Sequence, residues 1–76
     1  MDEPTKFISE YIKEKRINLT KLSNDTEIPY MSIYDSLSNK SRDRDLRVGE
    51  YMKICCYLGI EPMEYMKINN SKKTKN

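Results

Sequence analysis

Apolar residues in this chain recur three and four positions apart in several short stretches and nowhere alternate over the length of a strand. That periodicity leaves little but a bundle of short helices. Phe7, Ile8, Tyr11, Ile12 and Lys15 share one side of a helix predicted from about Pro4 to Lys15, with the proline harmless in its first turn. Arg16–Ile17 turns the chain, and Asn18 suits the N-cap of a second helix whose inward side is Leu19, Leu22, Ser23 and Thr26. Pro29 stands at the start of a third helix, about 29–38, with Ile33, Ser36 and Leu37 inward. Asn39 is expected to end it in the left-handed conformation. Tyr51, Ile54, Cys55 and Leu58 mark a fourth helix stopped by Gly59, and Pro62 opens a fifth carrying Met63, Tyr65 and Met66. Among the larger side chains, Tyr11, Tyr51, Met52 and at least one of Met63 and Met66 are assigned to packing.

With 76 residues, only one all-α domain fits. We place it at residues 1–68, followed by a disordered basic extension, 69–76. No apolar run approaches the ~20 residues that span a bilayer, and MDEPTK is not a secretory leader, so a cytoplasmic protein is expected. The absence of histidine removes the commonest acid–base group and metal ligand. The two thiols, Cys55 and Cys56, are too few for a structural zinc site, and two glycines exclude a glycine-rich phosphate loop. Neither an enzyme nor a cofactor or small-molecule site is expected.

One segment carries more information than the rest: LTKLSNDTEIPYMSIYDSL, Leu19 to Leu37. Two short helices joined by a tight turn need a small residue where they touch, an apolar tether in the turn and a branched residue pinning the second helix. Ser23, Ile28 and Ile33 meet those needs, and Leu22 and Leu37 complete the buried side. Tyr30, Met31, Tyr34 and Asp35 then face outward on a helix of the size a major groove admits.

These residues resemble the Cro and lambda-repressor type of helix-turn-helix protein, the XRE family. FISEYIKEKRIN resembles its first helix and turn, and LTKLSNDTEIPYMSIYDSLSNK its helix-turn-helix with the closing Leu37–Lys40 ending. DLRVGEYMKICCYLGI and EPMEYM resemble its fourth and fifth helices. Ser23 and Cys55 stand where the family usually has alanine, and Leu19 replaces a glutamine that grips phosphate in several relatives. Glu27 stands where glycine is common, in a turn that can demand a positive φ at a cost on the order of 1 kcal/mol.

The resemblance implies a repressor-like regulator that binds double-stranded DNA, with a dimer on a palindromic operator as the expected form. Tyr30, Met31, Tyr34 and Asp35 would face bases or sugars. Asp35 would accept from a cytosine amino group, and the rings and Met31 would press on thymine methyls. Asn18, Leu19, Thr20 and Lys21 would meet a phosphate at a helix N-terminus. Ser32, Ser38, Lys40, Arg42 and Arg44 would take others, with Arg47 a further candidate, while Asp43 and Asp45 temper the loop. Charge leaves a second reading open. Residues 18–39 are net −2, which suits a protein-interaction module of the same fold, such as an antitoxin or regulatory partner. The net +2 of residues 40–47 and the lysines from Lys67 onward favour nucleic acid. An unrelated helical scaffold is a third, weaker reading.

Overall fold

A computed structural model describes residues 1–39 and 41–66. Lys40 and the basic extension expected from residue 69 lie outside the described residues. The elements are α1 (Glu3–Lys15), α2 (Leu19–Thr26), α3 (Tyr30–Leu37) and α4 (Val48–Leu58). A fifth helical segment begins at Glu64, after a turn through Pro62 and Met63, and no strand occurs among the described residues.

Each helix starts and stops for a local reason. Asp2 caps α1 by accepting from the Thr5 amide, with Pro4 in the first turn, and Arg16 ends it in the left-handed region at φ 56°. Asn18 caps α2, accepting from the amides of Thr20 at 2.8 Å and Lys21 at 3.1 Å. Pro29 precedes α3, its carbonyl accepting from the amides of Ser32 and Ile33. The end of α3 differs from expectation. Ser38 terminates it at φ −127°, and among the described residues positive φ occurs at Arg16, Glu27 and Gly59, not at Asn39. Asn39 works through its side chain instead, accepting from the Ser41 amide and donating to Asp35. At α4 the Glu50 carboxylate accepts from the Arg47 amide, and Gly59 closes the helix at φ 72°.

Helices of eight residues, such as α2 and α3, do not persist alone in water, so packing decides their existence. Ile8, Leu22, Ile28, Ile33, Leu37, Ile54 and Cys55 form the centre of the core, joined by Ile12, Leu46 and Tyr51. Cys55 is buried and Cys56 exposed, as the register of α4 requires. Buried hydroxyls tie the elements together. Ser9 donates to the Leu37 carbonyl at 2.9 Å, joining α1 to the end of α3. Thr5 accepts from the Leu46 amide at 2.8 Å, pinning the loop before α4 onto α1. Two packing assignments do not hold: Met52, Met63 and Met66 are all exposed, because Tyr51 and Tyr65, edge to face at 6.1 Å, already fill the space beneath them.

The α2–α3 turn is short, running from Glu27 to Pro29. Glu27 takes the left-handed conformation, φ 62° and ψ 24°, and Ser23 donates across the turn to the Ile28 carbonyl at 2.6 Å. A Cβ in this conformation costs about 1–2 kcal/mol, of which a glycine returns part to the unfolded chain. Glu27→Gly should therefore stabilise the domain by about 1 kcal/mol, raising Tm by roughly 4–8 °C in a thermal unfolding curve. An unchanged or lower Tm would show that the glutamate side chain itself supports the turn.

Candidate nucleic-acid interface

The turn presents α3 with one side buried and one side free. Ile33, Ser36 and Leu37 face the core, while Tyr30, Met31 and Tyr34 remain 42%, 59% and 36% exposed. The two tyrosine rings stack along the helix, with centroids 6.0 Å apart and planes inclined by 16°. Ser38 is exposed just beyond them. An apolar, ring-bearing surface on a helix this short is uncommon unless it meets a partner.

Asp35 does not join that surface. It is only 8% exposed, accepting from the Asn39 amide group at 3.1 Å and pairing with Arg42 at 3.7 Å. Periodicity put it outward, but the chain after α3 folds back over it. The expectation of a free carboxylate facing bases is corrected to one held within the protein.

Arg44 is a second correction. Its guanidinium makes a two-pronged bond with Glu50, at 3.1 and 3.0 Å, and donates to the Ser36 hydroxyl and to the Ser32 carbonyl. A guanidinium with its fork filled has little left for a phosphate. It joins two turns of α3 to the start of α4, which fixes α3 relative to α4. Ser32 is half-buried, and its carbonyl is used in this junction. Burial opposes the charge on Glu50, yet the hydrogen bonds from Arg44 and the Arg47 amide outweigh it and hold the carboxyl below its ordinary range.

The flanks carry the cations. Arg42 is largely exposed apart from its pairing with Asp35, and Arg47 is exposed at the start of α4. Asp43 accepts from the Met1 ammonium at 2.7 Å and Asp45 from the Asp2 amide at 2.7 Å, so both loop carboxylates turn toward the start of α1. At the other flank, the Asn18 side chain already occupies the amides of Thr20 and Lys21, which leaves the Leu19 amide at the front of α2. The Leu19 side chain packs partly against the core, and Lys21 pairs with Asp25 at 3.2 Å. Asp25 also accepts from the Tyr57 hydroxyl, which fastens α2 to α4. Sequence reasoning passed over Lys6 and Lys13. Both line a shallow concavity with Met1, Ser9, Glu10, Leu37, Ser38 and Asn39, at the edge where α3 ends, and Glu10 offsets part of their charge. Their spacing of seven along α1 was the available signal.

A family model for the Cro/C1-type helix-turn-helix DNA-binding domain matches residues 8–71. The chain belongs to that family. No curated protein and no solved structure matches it significantly. In this Cro/C1-type domain, α2 and α3 are the helix-turn-helix pair, and the exposed ridge of α3 is the face the motif leaves free. Among the described residues, no helix is long and apolar enough to cross a membrane.

The Arg44–Glu50 junction has a pH signature. Because the folded-state pKa of Glu50 lies below its ordinary value near 4.5, its contribution is complete above that pH and is lost as pH falls through the lower folded value. Chemical denaturation from pH 7 to pH 3 should show stability falling more steeply in the wild type than in Glu50→Gln. At pH 7, Arg44→Ala should cost about 2 kcal/mol, since it leaves a partly buried carboxylate without its charged donor. Equal acid slopes would remove Glu50 from the account.

Proposed function

We propose that this domain is a sequence-specific, repressor-like regulator of transcription and not an enzyme, and that it inserts α3 into the major groove. The observation that carries the reading is the division of α3 into a buried side and an exposed ridge of Tyr30, Met31, Tyr34 and Ser38. Phosphates would be met at two flanks. One is the start of α2, through the Leu19 amide with Asn18, Thr20 and Lys21 close by. The other is the segment after α3, through Lys40 and Arg42, with Arg47 a further candidate. Arg44 is left out of that set because its terminal nitrogens already bond Ser32, Ser36 and Glu50 within the protein.

One helix of this length contacts few base pairs, so we propose a homodimer on a palindromic operator with half-sites about 34–36 Å apart. The support is an exposed apolar patch where Val48, Met52 and Met63 line a concavity with the half-buried Pro62 and Tyr65. DNA binding would stabilise such a dimer by mass action.

A fluorescence titration against duplex DNA at low and moderate salt tests the reading. Arg42→Ala should lower the slope of log K against log salt by about one and weaken all sequences alike. Tyr34→Ala should leave the slope unchanged and reduce discrimination between operator and random duplex by roughly 1–3 kcal/mol. If both variants bind duplex like the wild type while losing a protein partner, the interaction-module reading replaces this one.

A further inference from the structure

Direct readout in the major groove has a small chemical vocabulary. Guanine is read by the paired donors of arginine or lysine, adenine by the amide of asparagine or glutamine, and cytosine by a carboxylate. The eight residues of α3, YMSIYDSL, contain only one of these groups, Asp35. That carboxylate is buried and engaged by Asn39 and Arg42. The Asn39 side chain is itself occupied, donating to Asp35 and accepting from the Ser41 amide. The exposed ridge offers instead two phenol rings, a thioether and the Ser38 hydroxyl, and a hydroxyl, which both donates and accepts, does not by itself discriminate between bases. Of the features that the four base pairs display in the major groove, one is apolar: the thymine C5-methyl.

We infer that this domain selects thymine-rich half-sites, reading thymine C5-methyl groups with the Tyr30–Tyr34 stack and Met31. The inference rests on the DNA reading proposed above and names the sequence class it selects. The stack is already formed in the free protein, rings nearly parallel at 6.0 Å, so little rotamer freedom is lost when it docks on a methyl. Met31 beside it is flexible and adapts to the step alongside. The locked Asp35 adds to the selection without touching a base, because its engagement removes the group on α3 suited to reading a G·C pair.

The test uses the full chain and a randomised duplex library, followed by resynthesis of a retained sequence with deoxyuridine replacing thymine one position at a time. That exchange deletes the C5-methyl and nothing else. Retained sequences should carry thymines clustered in each half-site, and two or three single exchanges should each weaken binding about fourfold, the value of one buried methyl-sized group. Tyr34→Ala, with native helicity confirmed, should become insensitive to one of those exchanges while remaining sensitive to another. Retained sequences with invariant guanines, or binding indifferent to every exchange, would overturn the thymine inference and leave DNA binding intact. Absence of salt-dependent binding to any duplex would overturn both, and is read in the same titrations before any exchange is made.

Discussion

The left-handed turn at Glu27 sets the geometry on which the remainder of the domain depends. Two helices of eight residues each become stable only by burying Leu22, Ile28, Ile33 and Leu37 together. The turn determines the angle at which they do so. A glutamate there costs conformational energy, and the Ser23 hydroxyl offsets part of it by holding the Ile28 carbonyl across the turn. An alanine at position 23 would pack equally well but leave that carbonyl without this donor. Two of the departures from family habit, Ser23 and Glu27, are therefore parts of one local solution.

A second restraint acts from the opposite side of α3. Arg44 reaches from the loop to Ser32, Ser36 and Glu50, so α3 is held both by the turn before it and by a charged junction behind it. Ser9 of α1 adds a third hold at the last turn through the Leu37 carbonyl. A helix fixed at its start, middle and end presents its outer residues in one orientation, and such rigidity is what selective contact with a groove requires.

Periodicity made the helices and the core legible, since the positions of Ile8, Ile12, Leu22, Ile33, Leu37, Ile54 and Cys55 follow from spacing alone. Turn chemistry did the same for Asn18 and Gly59, while the left-handed turn at Glu27 was implied by the family resemblance. What spacing cannot convey is which loop folds over which surface. Asp35 is outward by helical phase and buried by the chain that follows it; Arg44 looks like a surface cation and serves as an internal clasp. Met52 and Met63 have apolar side chains suited to a core that Tyr51 and Tyr65 already fill. For Asp35 and Arg44, contacts made by the loop that follows α3 override the helical pattern.

Division of labour follows from this arrangement. The ridge of α3 carries rings, a thioether and hydroxyls without a free charge, while the exposed Arg42 is tied to α3 through Asp35, so on the proposed reading attraction comes from the flanks and discrimination from the ridge. Backbone amide chemical shifts of the isotope-labelled domain, recorded as duplex DNA is added, test that claim most directly. Shifts concentrated at residues 18–21, at Tyr30, Met31, Tyr34 and Ser38, and at Arg42 are the predicted result. Shifts confined to Val48, Met52 and Met63, with α3 unmoved, would contradict it.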